Sequence, residues 1–272
     1  MRAWPAHEGN SYRPIALTSV LCKLMERLVT DRLTWHMEVN HLFNRFQSGF
    51  RKLRSCQDHI VRLQDAIQKA IHAKYSLCGV FVDLEKAFDL MWTDGQLHKL
   101  QQHNITGQMF NWIRDFLTDR HIRVRVGAEL SDLFLMENGS PQGSVISPVL
   151  FIIMMNDIPE PENGVKLSLY ADDSAIWRAG PNPDVNRRHL QSYLDRLKKF
   201  FDEWGFKVST TKTVAVEFRR NGTPPAHLPL KLGTSRLLYK SSVKFLGVIF
   251  DRHLTWSEHI QYVADRFRKC QT

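Results

Sequence analysis

The chain runs to 272 residues, 43% of them apolar and 24% charged, which is enough for a substantial core and ordinary for a folded globular protein. Its 37 lysines and arginines outnumber 28 acids, and the resulting charge of +9 favours an anionic partner, nucleic acid above all. Several classes drop out: Cys22, Cys56, Cys78 and Cys270 form no CxxC pair, the N-terminus lacks a signal-peptide core, and the longest apolar run, 149–155, is too short for a bilayer.

In chain order, residues 19–38 are predicted helical, with Leu21, Leu24, Met25, Leu28 and Leu33 on one stripe. A basic connection, NRFQSGFRKLRS, leads to a second helix opening at Ser55. There Asp58 completes a capping box, and Ile60, Leu63, Ile67 and Ile71 form the apolar face. SLCGVFVDL, 76–84, is a continuous apolar run of strand length, the pattern of a strand buried on both faces, and it carries one acid, Asp83, near its end. Phe110, Ile113 and Leu117 mark another amphipathic helix.

HIRVRVG alternates Ile122, Val124 and Val126 with Arg123 and Arg125, so a half-buried strand is expected. NGSPQGSVISPVLFIIMMND starts as a loop and becomes a helix with Ser147 as N-cap and Pro148 at its first position. The clearest helix is 187–204, where Leu190, Tyr193, Leu194, Leu197, Phe200, Phe201 and Trp204 recur at helical spacing and Gly205 ends the run. Strands follow at 213–218 and 243–250, and RNGTPPAHLP, 220–229, reads as an exposed loop. Thr255 with Glu258, a capping box, announces a last helix lined by Ile260, Val263, Ala264 and Phe267. Helices and strands mix without regular alternation, which favours α+β over a doubly wound sheet.

The stretch SLYADDSAIW, 168–177, sets Asp172 and Asp173 side by side between apolar strand residues. A β-hairpin with Ala-Asp-Asp at its tip accounts for the pattern, because a tight turn lets adjacent carboxylates converge. Two anions held together need a cation or a raised pKa. Taken alone, the pair is better explained as ordinary solvated turn chemistry. Asp83 alters the balance, since an acid ending a buried central strand is hard to explain as surface decoration. If that strand lies beside the hairpin, three carboxylates gather at one sheet end. Oxygen ligands without His or Cys suit Mg²⁺ or Mn²⁺ rather than zinc. Two such ions about 4 Å apart are the arrangement for in-line phosphoryl transfer.

FVDLEKAFD, GSPQGSVISPVLF, YADD, WGFKVSTTKT and VKFLGVIFD, in this order, resemble the successive motifs of reverse transcriptases. SYRPIAL and FQSGFRKLRS upstream resemble the fingers motifs of non-long-terminal-repeat (LINE-type) retrotransposons, the jockey-like group in particular. The resemblance implies an α+β right-hand polymerase fold: fingers over 1–75, a palm over 76–235 built as an antiparallel sheet backed by helices, and a primer-grip hairpin with the start of a thumb over 236–272. The rest of the thumb is expected to be missing.

By the same resemblance Asp83, Asp172 and Asp173 are the catalytic, metal-binding acids, helped by the Leu84 carbonyl, with two Mg²⁺ ions as cofactor and Mn²⁺ as a substitute. Phe88 matches a steric gate against the ribose 2′-OH, its plain alternative being a core aromatic. Asp89 is expected to cap or pair locally. Gln142 and Gly143, with Pro141, form the loop facing the nascent base pair, and Arg51 and Lys52 are read as triphosphate ligands. Lys212 is read as the lysine that protonates departing pyrophosphate, in a segment with Ser209 where many relatives carry Asn. Phe245, Leu246 and Gly247 belong to the primer grip, though their apolar side chains suit a core equally. Arg123, Arg125, Arg187, Arg188, Lys198 and Lys199 are general candidates for backbone binding.

The expected partners are an RNA template, a DNA primer and deoxynucleoside triphosphates, with no membrane and with the oligomeric state left open. The expected place is intracellular, nucleus and cytoplasm. The expected reaction is extension of a primer 3′-OH on an RNA template. Two rivals stand beside it: an inactive, truncated retroelement remnant that at most binds RNA, and an intron-encoded reverse transcriptase with maturase activity, which would need a downstream RNA-binding domain.

Overall fold

A computed structural model describes residues 15–221 and 229–270. Ser11–Pro14 of the first motif and 222–228 of the expected loop lie outside the described residues. The elements in chain order are α1 (Val20–Val39), α2 (Cys56–His72), β1 (Ser76–Val82), α3 (Thr93–Gln102), α4 (Gly107–Leu117), β2 (Arg120–Ile122), β3 (Arg125–Val126), β4 (Glu129–Leu130), β5 (Phe134–Met136) and α5 (Ser147–Met154). They continue with β6 (Lys166–Tyr170), β7 (Asp173–Gly180), α6 (Pro183–Glu203), β8 (Val214–Phe218), β9 (Lys231–Leu232), β10 (Ser235–Arg236), β11 (Leu238–Lys240), β12 (Ser242–Phe245), β13 (Val248–Asp251) and α7 (Ser257–Cys270). Two compact units result, one of Met1–Phe43 with Phe88–Met154, the other of Asn44–Ala87 with Met155–Thr272.

The second unit is built on a five-stranded sheet in the order β11-β8-β1-β7-β6. All seven residues of β1 are buried, as a central strand covered on both faces requires. Its neighbours β7 and β8 run antiparallel to it, whereas β11 joins β8 in parallel, so the sheet is mixed rather than wholly antiparallel. The alternation of strand side chains divides the sheet into two layers. Leu77 and Phe81 of β1, Trp177 of β7 and Val216 and Phe218 of β8 join Leu63 and Ile67 of α2 in one core, together with Phe245 and Phe250 from the β12–β13 hairpin. On the other layer, Glu217 of β8 takes the Arg187 guanidinium of α6 in a buried ion pair. Arg187 is therefore a core residue, and Lys198 pairs with Asp202 on its own helix.

Local chemistry explains the ends. Ser55 and Asp58 form the expected capping box on α2. Asn182 caps α6 with Pro183 in the first turn, so this helix starts four residues before the expected 187, and Gly205 follows it at φ 73. At α7 only half of the expected box forms: Thr255 Oγ1 accepts from Ser257 N, but Glu258 bonds Ser242 of β12 instead.

In the first unit α1 turns Val29, Leu33 and Met37 inward with Glu26. The expected stripe is therefore rotated, and Leu21, Leu24, Met25 and Leu28 are exposed. Glu26 is buried because its carboxylate accepts from Ser144 Oγ at 2.5 Å and Val145 N at 2.6 Å, which ties α1 to the loop before α5. Ser144 Oγ in turn accepts from the amides of Ile146 and Ser147, so the capping side chain is Ser144, one turn ahead of the expected Ser147. The expected strand over HIRVRVG is broken between β2 and β3, and Ile122, Val124 and Val126 are exposed.

Candidate active site

β6 and β7 form the expected hairpin, closed by the pair Tyr170–Asp173 around a two-residue loop, Ala171–Asp172. Ala171 sits at φ 56, the left-handed side that tight hairpin turns demand and that glycine usually fills. The pairing of β1 with β7 ends at Val82–Ser174. One step further along that register brings Asp83 to Asp173, so the strand adjacency needed to gather the three acids is present. Asp172 and Asp173 reach solvent and Asp83 is half-buried. Desolvation at the sheet end, then the charge of Asp172 and then that of Asp83, pushes the Asp173 carboxyl up to about 6.

Asp83 is held by the segment that follows α6. Its amide donates to Thr213 Oγ1 at 3.2 Å, and its carbonyl accepts from Ser209 N at 2.8 Å. Leu84 bridges Val208, and Glu85 N donates to Lys207 O at 2.7 Å. This is the wide antiparallel spacing, which leaves the Leu84 carbonyl out of the ladder. Thr213 is fully buried and bonds back to Ser209 O at 2.8 Å, so the turn carrying Lys212 is fixed against the end of β1. Lys212 Nζ then stands 3.5 Å from Asp83 Oδ2.

Among the described residues no three His, Cys, Asp or Glu side chains converge closely enough to hold a metal ion. The acids share a sheet end, and the Asp83 carboxylate faces Lys212. Their chemistry nevertheless fits a hard divalent cation: every side-chain donor is a carboxylate oxygen. Asp83 Oδ2 accepts no hydrogen bond and has Lys212 Nζ 3.5 Å away, and burial followed by the charges of Asp172 and Asp83 raises Asp173.

The remaining site residues divide between the units. In the second, Arg51 donates to the carbonyls of Asn44 and Gln47, both at 3.1 Å, and so braces its own loop, while Lys52 is exposed. Phe245 is a core residue, its ring 5.5 Å from that of Phe81. Leu246 at φ 48 and Gly247 at φ 87 make the turn between β12 and β13, with Gly247 exposed at the tip.

In the first unit, Phe88 is half-buried with its ring 5.1 Å from Phe151. Gln142 Nε2 donates to both oxygens of Asp89, at 2.8 and 2.9 Å, so Asp89 pairs locally as expected. Gly143 is exposed at φ 96. Gly139 allows the close approach of these two segments: a Cβ there would lie 2.4 Å from Asp89 O.

Sequence reading missed three supporting side chains, Glu26, Gln47 and Thr213. Their signal is a polar residue that is buried, and burial is not written in local sequence.

A mixed sheet thus carries acids on a tight hairpin and on the adjoining central strand, and comparison with known proteins places the chain in a family. The profile of the reverse transcriptase (RNA-dependent DNA polymerase) family matches residues 6–250, and the chain belongs to that family. It is 32% identical over 269 residues to the probable RNA-directed DNA polymerase from transposon BS of Drosophila melanogaster, covering 96% of this chain and 30% of that protein. It is 30% identical over 267 residues to the RNA-directed DNA polymerase from mobile element jockey of the same species, covering 95% and 29%. The chain thus spans about three-tenths of the length of these relatives. Among solved structures, apo telomerase from Candida tropicalis truncated from its C-terminal domain superposes with a TM-score of 0.56 at 13% identity, over 86% of this chain and 44% of that one, a likeness of fold.

Proposed function

We propose that this chain is the polymerising part of an RNA-directed DNA polymerase of a non-long-terminal-repeat retrotransposon, extending a DNA primer with deoxynucleoside triphosphates on an RNA template. The observation that carries the reading is the meeting of Asp83 with the Asp172–Asp173 turn at one end of the β1–β7 pair, on a chain of this family. In this reading 1–75 act as fingers, 76–235 as palm, and 236–272 as primer grip with the first thumb helix.

Asp83, Asp172 and Asp173, with the Leu84 carbonyl, would hold Mg²⁺, or Mn²⁺ in its place. When bound, the ions supply charge stabilisation to an in-line displacement at the α-phosphate. The chain's own groups do the rest. The turn presents its carboxylates toward the space a primer 3′-OH must enter. Lys212, anchored beside Asp83, holds a proton for the departing pyrophosphate. By their motif positions Phe88 is the candidate steric gate at the sugar 2′ position, and Gln142 and Gly143 are the candidate loop for the nascent pair, with Gln142 Nε2 held by Asp89. Lys52 is positioned on the surface as a phosphate contact, and Arg51 keeps that loop in shape. Gly247 brings bare backbone to the primer strand, carried by Phe245 and Leu246.

The test is primer extension on an RNA template with deoxynucleotides and Mg²⁺, run on this chain and on Asp172→Asn. A loss on the order of 10²–10³-fold in the variant supports the assignment. Equal extension by both would overturn it, and extension by neither would return the chain to an RNA-binding remnant.

A further inference from the structure

The turn that bears Asp172 and Asp173 is held from outside its own hairpin. Gln47, only 1% exposed, places its side-chain amide directly against it. Gln47 Oε1 accepts from Ala171 N at 2.9 Å and from Gly49 N at 2.8 Å, and Nε2 donates to Ala171 O at 3.4 Å. The backbone around it runs beside β6, with Ser48 N donating to Leu169 O at 3.0 Å and Leu169 N to Phe46 O at 3.2 Å. Gly49 makes this approach feasible, because a Cβ there would fall 2.2 Å from Ala171 N. The segment is itself anchored: Arg51 donates to the Gln47 and Asn44 carbonyls, and Asn44 donates from its backbone N to Asn156 Oδ1 at 2.6 Å and from its Nδ2 to Asn156 O at 2.9 Å.

Ala171 occupies a backbone region that alanine enters at a cost, beside the two adjacent acids of the turn. A conformation of that kind persists only where surrounding groups over-determine it. We propose that Gln47 is the positioning residue of the acidic turn, its amide fixing Ala171 so that Asp172 and Asp173 stay set for nucleotidyl transfer. The catalytic half of this statement rests on the polymerase reading above; the structural half does not.

The experiment pairs amide hydrogen exchange with single-nucleotide primer extension on wild type, Gln47→Met and Gln47→Glu. Methionine keeps the volume and loses the acceptor, whereas glutamate keeps an acceptor oxygen. In the wild type the Ala171 amide is expected to exchange about tenfold or more slowly than that of Asp172. In Gln47→Met that protection falls about tenfold, as for a lost buried hydrogen bond, and kcat falls by a similar factor with the KM for deoxynucleotide unchanged. Gln47→Glu retains the protection. A freely exchanging Ala171 amide in the wild type overturns the proposal without any variant. Unchanged protection in Gln47→Met assigns Gln47 to packing, and lost protection with unchanged kcat overturns the positioning role. A wild type that extends no primer overturns the polymerase reading, while the exchange data still decide whether Gln47 sets the turn.

Discussion

Lys212 Nζ stands 3.5 Å from Asp83 Oδ2, the one close cation recorded for an acid of the candidate triad among the described residues. Both side chains are open to solvent, 70% and 40% exposed, so the pair adds little to stability. Lys212→Ala should therefore leave the denaturant midpoint nearly unchanged while slowing nucleotide incorporation by about 10²-fold, the scale of a lost general acid. Unfolding curves set beside single-turnover incorporation decide it; a variant as fast as wild type removes Lys212 from the chemistry.

Asp173 should oppose folding at neutral pH when no divalent cation is present. Its folded pKa is raised to about 6 from 3.8, so its favourable contribution is complete below pH 3.8 and lost as pH rises through 6. Asp173→Asn, with no charge to desolvate or to be repelled by Asp172 and Asp83, should melt above wild type at pH 7.5, with the gap closing as pH falls from 6 towards 4. The same variant should lose primer extension. Melting curves in EDTA at several pH values test the crossover.

His59 should titrate the other way. Burial, then the neighbouring Arg62, lowers its pKa to about 4, and its ring bonds the Ser168 hydroxyl on β6. A base whose pKa falls on folding contributes stability that is complete above about 6.5 and lost as pH drops towards 4. The wild-type advantage over His59→Gln should therefore be largest at pH 7.5 and shrink by pH 5. A constant gap across that window would contradict a buried neutral imidazole.

Glu217 and Arg187 are 1% and 7% exposed and bind each other under α6. Glu217→Ala removes the buried partner of the guanidinium and leaves it Tyr239 Oη at 3.3 Å and the exposed Asp184 at 3.6 Å, and a loss of up to about 3–5 kcal/mol is expected for breaking such a pair. Urea unfolding measures it directly. A change below about 1 kcal/mol would mean that Arg187 escapes to solvent.

Much of the second unit was legible residue by residue. The uninterrupted apolar run 76–82 became a strand buried on both faces, and the alternation before Tyr170 became one arm of a hairpin. Those patterns report burial on both faces or on one, and few structures satisfy them. α1 was misjudged because Leu21, Leu24, Met25 and Leu28 satisfy helical spacing, yet the face buried here is centred on Glu26, Val29, Leu33 and Met37. Periodicity marks an apolar stripe, but which stripe is covered depends on neighbours far along the chain. HIRVRVG failed for a similar reason: alternation without a covering layer left Val124 and Val126 exposed.

By itself the sequence determined the kinds of groups available and their local settings: an acid closing a buried strand, two acids on a turn, a lysine shortly before β8. Propensity, turn chemistry and periodicity act over a few residues, and these features need nothing more. Only the tertiary structure decided which of them meet. The register of β1 against β7 brings Asp83 to the turn, the segment before β8 sets Lys212 beside it, and Gln47 reaches Ala171 across 124 residues of sequence. Such contacts depend on long-range burial and on polar groups finding partners inside it, and no short stretch of chain carries that information.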